Sequence, residues 1–382
     1  MARHVAKARR AGSSPRASHL TDTILESPMP DKKALIIGAG PAGLSAAIEL
    51  AKQNIDSILI ERSPFAGGHG IYFACKAAES CVKCGACMVE EKIRDAEKNP
   101  RITIISGARI KTISHLAPFA VTLQTDGKKR SLSGDALILA TGFKPFDPEN
   151  KPYGYKRFKN VVTHLELEQI IRETGMARRP SDGKPPDRVA FIQCVGSRDS
   201  SLGHAWCSKV CCGSALRMAA LIKSKRPETQ ITFFYIDVQN FGKDFVSFYE
   251  KIKNEIRMIR SIPGDIFEIS GQGLSMSWFD KETDAPVEQI VDMAVLSVGM
   301  TPRRPEFLAD LLVSDPTEKQ SGNGFISESE TARLADRGIF VAGAAQGPMS
   351  IEDSISDGGF SAFNAAAYIK KQAQKNGPKK TG

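Results

Sequence analysis

No stretch of this 382-residue chain approaches the roughly 18 to 20 consecutive apolar residues that a membrane-crossing helix needs, so no membrane span is expected. No export signal is expected either. Arg9-Arg10 invites comparison with a twin-arginine leader, but Ala11 to Leu20 contain no apolar core of about 7 to 15 residues. Cytoplasmic residence is therefore the expectation, and cysteines there serve as thiols, catalytic pairs or metal ligands rather than as structural disulfides. The chain also has little charge on its body. The formal net charge is +9, but residues 1–30 carry five Lys/Arg against Asp22 and Glu26, and residues 370–382 carry five Lys and no acid. Like charges collected at chain ends belong to solvated tails, which leaves the body with about one positive charge and argues against nucleic acid as its partner. No repeat of solenoid period is visible.

What is present describes a globular α/β protein: 41% hydrophobic and 25% charged residues, in a chain long enough for two domains. Lys33 to Ile37 is an apolar run ending in Gly38-Ala-Gly-Pro-Ala-Gly43, followed by a helical pattern over Leu44–Lys52 and a second apolar run, Ser57–Ile60. That is strand, glycine turn, helix, strand. Further strands are expected at Ile102–Ile105, Ala120–Gln124 and Ala136–Leu139, with connectors at Pro145–Tyr155 and Arg178–Pro186. A second alternating unit runs from Arg188–Cys194 through a helix at Ser214–Ser224 to a strand at Gln230–Asp237. The last unit, Gly338–Ala342, leads into a helix over Ile351–Gln372.

Each glycine of the first turn has a mechanical reason. Gly38 makes the tight turn, Gly40 lets backbone approach a pyrophosphate, and Gly43 lets helix and strand pack closely; Pro41 and Ala42 lie in the same turn, ahead of the helix whose free N–H groups face the phosphates. Glu61, 18 residues past Gly43, is placed for an adenosine ribose, with Arg62 beside it and Gly68-His69 in the next loop. Leu137-Ile-Leu-Ala140-Thr141-Gly142 and Gly338-Ile-Phe-Val-Ala-Gly343-Ala344 resemble the paired signatures of flavoproteins with two dinucleotide-binding domains, such as thioredoxin reductase. The resemblance implies FAD. It also exposes a departure: relatives end the second signature in Gly-Asp, where this chain has Ala344. Ala345 and Gln346, ahead of the last helix, are expected beside the flavin ring. The expected fold is a doubly wound FAD domain (31–150 and 330–370) with a degenerate second Rossmann domain (151–329), flanked by basic tails at 1–30 and 371–382.

The second domain lacks the glycines that would cradle a pyridine nucleotide. Where a second fingerprint should open, the chain reads Gln193-Cys194-Val-Gly-Ser-Arg-Asp199, which disfavours direct NAD(P)H binding. All eight cysteines fall into two groups. Cys75, Cys81, Cys84 and Cys87 are spaced C-x5-C-x2-C-x2-C, and Cys194, Cys207, Cys211 and Cys212 are spaced C-x12-C-x3-C-C, the last three ahead of a helix. Either set suits iron–sulfur ligation or zinc, and Cys84-Gly-Ala-Cys87 also suits a redox dithiol.

Gly38–Gly43, Cys194-Val-Gly-Ser-Arg-Asp199, Cys207-Ser-Lys-Val-Cys211-Cys212 and Val341-Ala-Gly-Ala-Ala-Gln-Gly-Pro348 together resemble the A subunit of heterodisulfide reductase, over about residues 31–370. The resemblance implies that Cys194, Cys207, Cys211 and Cys212 ligate a [4Fe–4S] cluster near FAD. It further implies a role in electron transfer within a larger complex, a homodimer, and partners similar to heterodisulfide reductase B and C. Methanogen forms are much longer. This chain looks like the short form of sulfur-oxidising bacteria, which is linked to lipoate-binding proteins. Many methanogen forms follow Gly-Pro with Lys-Asp; Met349-Ser350 stand here, so electron bifurcation is not expected to carry over. The rival expectations are a self-sufficient NAD(P)H-dependent disulfide reductase using Cys84 and Cys87, and a scaffold or tRNA-modifying flavoprotein.

Overall fold

The computed structural model describes residues 32–78, 80–239, 245–312 and 323–376. Five parallel strands form a first sheet: β1 (Lys33–Ile37), β2 (Asp56–Ile60), β3 (Ile102–Ile105), β7 (Ala136–Leu139) and β18 (Ile339–Val341), in the order β18-β7-β1-β2-β3. The chain leaves β3 into an antiparallel meander, β4 (Arg109–Ile113), β5 (Phe119–Thr125) and β6 (Lys128–Gly134), before returning as β7. A second sheet repeats the plan: β9 (Val161–Thr163), β10 (Arg188–Val195), β11 (Gln230–Phe234), β12 (Arg257–Ile259) and β16 (Met293–Val298), in the order β12-β11-β10-β16-β9. Its meander is β13 (Ile266–Ile269), β14 (Gly273–Asp280) and β15 (Ala285–Val291). The short pair β8 (Phe143–Pro145) and β17 (Met300–Pro302) joins the two sheets' exit strands.

Helices α1 (Pro41–Lys52), α2 (Ala86–Glu97) and α8 (Ile351–Asn376) pack together on one face of the first sheet. Helices α3 (His164–Thr174), α4 (Cys211–Lys225) and α5 (Phe245–Ile252) belong to the second sheet, while α6 (Glu306–Leu312) and α7 (Glu328–Asp336) serve the return to β18. Both strands at the sheet centres, β1 and β10, are almost wholly apolar and buried, which is what a parallel sheet covered on two faces demands.

Two boundaries differ from expectation for local reasons. Helix α4 begins at Cys211, not at Ser214, so Cys211 and Cys212 are its first residues and do not precede it. Cys-Cys-Gly is weak helix-forming sequence, and burial of both thiols overrides that propensity. Helix α8 continues through Lys371–Asn376, where a tail was expected, because Lys, Gln and Ala extend a helix readily. Residues 1–30 and 377–382, the rest of the expected tails, lie outside the described residues.

Candidate functional site: a nucleotide cleft walled by cysteine loops

The carboxyl ends of β1 and β7 open into a cleft of about 1520 Å³, larger than the roughly 300–1,000 Å³ of ordinary ligand sites. Gly38, Gly40, Pro41, Ala42, Glu61, Arg62, Gly68, His69, Ala140, Thr141, Gly142 and Ala344 line it. Gly43, Gly343, Ala345 and Gln346 do not.

The cradle fits a flavin dinucleotide on two observations. A Cβ at Gly38 would lie 2.3 Å from the Ala140 carbonyl oxygen, and one at Gly43 would lie 2.0 Å from that of Gly38, so these glycines answer to protein packing. A Cβ at Gly40 would meet nothing nearer than Gly68 Cα at 4.0 Å, so the space beside Gly40 is kept for something other than the chain. The second observation is a buried hydroxyl: Thr141 Oγ1 has no hydrogen-bond partner although it lines the cleft. A buried hydroxyl is costly unless paired, and a ligand oxygen would pair it.

Glu61 carries a structural duty beside its expected one. Its carboxylate accepts the Ala39 N–H at 2.8 Å and the Ser63 N–H at 2.8 Å, fixing the glycine turn to the end of β2, with lone pairs left for a ribose. The His69 Nε2–H donates to the Phe143 carbonyl at 3.3 Å. Burial lowers the His69 pKa, its hydrogen bond to Phe143 opposes this, and the charges of Arg303 and Arg62 lower it further. Arg303, which the sequence did not single out, also lines the cleft, and burial pulls its own pKa down.

The carboxylate missing at position 344 has a counterpart from another element. Asp357 of α8 accepts the Gly343 N–H at 2.6 Å and a Gln346 side-chain N–H at 2.9 Å. It braces the turn from behind and does not line the cleft. This explains why Gln346 faces protein: its amide also donates to the Val341 carbonyl at 3.3 Å.

The second cysteine group surrounds the end of β10. A register shift between Ile192 and Val195 bulges the strand, and Cys194 takes a left-handed φ of 60°. Bulges and left-handed non-glycine residues cost stability and concentrate where a side chain must be re-aimed. Burial pushes the Cys194 thiol up to about 12, with the charges of Cys212 and Cys207 adding and Arg198 opposing. Burial likewise raises Cys207. The Cys211 thiol donates to Cys212, which with burial holds its proton firmly. Cys212 is the exception, its pKa lowered by the hydrogen bond from Cys211. With charge on neighbouring thiols raising Cys194, Cys207 and Cys211, the four cannot ionise together without a compensating cation, which is the donor chemistry of a metal cluster. Among the described residues, no group of three or more His, Cys, Asp or Glu side chains is arranged to hold a metal ion, and this includes both cysteine sets.

The wall between thiols and cleft is thin. Ser208, Lys209, Val210, Gly213 and Ser214 line the cleft, whereas Cys211 and Cys212, within the same segment, are turned away from it and buried. From the first group only Cys84 lines the cleft; Cys75, Cys81 and Cys87 are exposed. The Arg217 guanidinium on α4 donates to the Val82 carbonyl at 2.7 Å and so joins the two cysteine-bearing segments.

The other strand-end turn, where a pyridine nucleotide would lie in the second sheet, is filled by protein. A Cβ at Gly196 would lie 2.1 Å from the Phe146 ring. The His204 ring lies tilted, 4.7 Å from that of Trp206, whose indole N–H donates to the Met300 carbonyl at 2.9 Å.

Two parallel five-stranded sheets, each with its own antiparallel meander, and a nucleotide cleft at the first define the thioredoxin reductase-like, two-dinucleotide-domain flavoprotein fold. Thioredoxin reductase from T. acidophilum superposes with a TM-score of 0.60 at 16% identity, covering 90% of this chain and 100% of that one. Residues 32–192 match the pyridine nucleotide-disulphide oxidoreductase family. In sequence the chain is similar to A subunits of heterodisulfide reductases. It is 30% identical to the second iron-sulfur A subunit of CoB–CoM heterodisulfide reductase of Methanopyrus kandleri, over 88% of this chain and 64% of that one. It is 29% identical to the A subunit of the H2:CoB-CoM heterodisulfide,ferredoxin reductase of Methanothermobacter marburgensis, over 89% and 64%. The chain thus spans just under two thirds of the length of these relatives.

Proposed function

We propose that the protein is an oxidoreductase component that holds FAD in the cleft and a [4Fe–4S] cluster on Cys194, Cys207, Cys211 and Cys212, and passes electrons between them and partner subunits. The observation that carries this is the segment Ser208–Ser214, which lines the cleft on one side while burying Cys211 and Cys212 on the other. FAD supplies two-electron and one-electron chemistry and the cluster supplies single-electron relay; the protein positions and tunes both. Gly40 and Thr141 leave room and a hydrogen-bond donor for the dinucleotide, Glu61 anchors its ribose end, and Arg62 and Arg303 supply positive charge nearby. Helix α4 opens with Cys211 and Cys212, and the hydrogen bond between them lowers the Cys212 pKa while raising that of Cys211.

The setting we propose is a cytoplasmic complex for sulfur oxidation, with a homodimer of this chain, subunits similar to heterodisulfide reductase B and C, and a lipoate-binding protein as partner. No helix among the described residues is long and apolar enough to cross a membrane. Cys75, Cys81, Cys84 and Cys87 hold a second cluster, complete the first or act as thiols. Anaerobic purification with iron, sulfide and flavin assays tests the reading: one flavin and about four or more irons per chain are expected, and fewer than about four after reconstitution removes the cluster relay.

A stand-alone NAD(P)H-dependent disulfide reductase remains the second reading, because Cys84 lines the cleft and Cys87 lies in the first turn of α2. The Phe146 ring packed on Gly196 counts against it. It requires rapid flavin bleaching when NADH or NADPH is added to the isolated chain, and loss of that turnover in Cys84→Ser.

A further inference from the structure

A lysine directly after the first cysteine of the chain is almost fully buried. The side chains of Lys76 and Glu168 are 3% and 1% exposed, and Lys76 Nζ lies 2.6 Å from Glu168 Oε1. Burying a charge pair is expensive, and its retention calls for a use beyond stability. The pair is held from three directions. The Ala74 N–H donates to Glu168 Oε2 at 3.0 Å, the Ser214 hydroxyl donates to Glu168 Oε1 at 3.1 Å, and Lys76 donates to the Ala74 carbonyl at 3.2 Å. Arg172, one turn along α3, fixes the same loop through the Phe73 carbonyl at 2.8 Å.

The pair is also polarised toward the cleft. Lys76 lines it, as does Ser214, whereas Glu168 stands behind and does not. Of the three donors on an ammonium, Glu168 and the Ala74 carbonyl take two. The two side chains are buried to a like degree, but of the pair only Lys76 belongs to the lining of the cleft.

We propose that Lys76 is the cation that sets the electron affinity of the flavin, and that Glu168 is the positioning residue that holds it there. A fixed positive charge at a cleft wall, in a surrounding of low dielectric, favours whichever ligand state carries more negative charge. Reduced flavin carries more than oxidised flavin, so Lys76 raises its potential, and Glu168 opposes that effect from behind. The inference rests on FAD filling the cleft.

The test is a set of three full-length variants, Lys76→Met, Glu168→Gln and the double variant, purified with bound flavin. Two readouts serve: the flavin midpoint potential, and the affinity of oxidised flavin for sulfite, which adds its sulfur lone pair to N5 and leaves the negative charge on the ring. Lys76→Met is expected to weaken sulfite binding roughly tenfold, equivalent to about 30 mV lower for a two-electron couple. Glu168→Gln is expected to shift both readouts in the opposite direction, because the cation stays and its counter-charge is lost. Should a single variant fail to fold, the double variant, which buries no lone charge, is expected to shift in the same direction as Lys76→Met by a smaller amount. Unchanged readouts, or shifts of one sign in both single variants, overturn the role of Lys76. A colourless wild-type protein after reconstitution with FAD overturns instead the reading on which the inference rests.

Discussion

Arg217 Nε–H donates to the carbonyl oxygen of Val82 at 2.7 Å, across 135 positions of sequence. The guanidinium lies 5.4 Å from the Phe245 ring and 5.7 Å from that of Phe248, so its planar group is sandwiched between a loop carbonyl and an aromatic shelf. This one side chain couples the loop of Cys81 and Cys84 to the helix that opens with Cys211 and Cys212.

Arg217→Ala is therefore expected to cost about 2–3 kcal/mol, from the charge-assisted hydrogen bond together with the cation–π contacts. Urea unfolding measures the loss. Alkylation of Cys84 should also quicken in the variant, since the loop is released; an unchanged alkylation rate would show that the loop is held elsewhere.

The glycine turn separates two kinds of failure. In Gly40→Val the side chain enters space empty of protein, so the chain should fold with a thermal transition close to wild type and lose its yellow flavin. Gly43→Ala should do the reverse, lowering the transition markedly, because its Cβ would lie 2.0 Å from the Gly38 carbonyl oxygen. Flavin absorbance and calorimetry on both proteins distinguish the two.

Cys211→Ser removes a fully enclosed thiol while leaving every residue of the cleft wall in place. The expected outcome is loss of the broad absorbance near about 400 nm given by an iron–sulfur cluster, with FAD retained. Survival of both chromophores would remove Cys211 from the ligand set.

His164 supplies a pH signature. Its Nδ1 accepts the Val298 N–H at 3.2 Å, and burial lowers its pKa from 6.5 to about 4. The unfolded chain takes up that proton near pH 6.5 and the folded chain does not, so stability present above pH 6.5 is lost as pH falls toward about 4. Between about pH 7 and pH 5 this single group should cost about 2 kcal/mol. His164→Gln, which keeps an acceptor, should show a correspondingly flatter dependence of its urea midpoint on pH; an equal slope in both proteins would assign the acid sensitivity to other groups.

The first βαβ unit was legible because its instructions are local: a strand, three glycines at fixed offsets and an acidic residue at the end of the next strand. The antiparallel meanders were less so. Strand β6 reads Lys-Lys-Arg-Ser-Leu-Ser-Gly and is exposed along most of its length, so it carries no alternation to betray it. Helix α2 went unread because its start, at Gly85-Ala86-Cys87, looked like part of a ligand loop.

By itself the sequence determined where a glycine turn follows a strand and which thiols were grouped, since both follow from spacing within a few turns of chain. Only the tertiary structure decided that Lys76 is buried against Glu168, that Asp357 braces the turn where an acid was missing, and that Phe146 fills the second turn at Gly196. Those partners come from separate elements whose docking depends on the cores of both sheets. Charge and shape complementarity between distant segments leaves no periodic mark on either one.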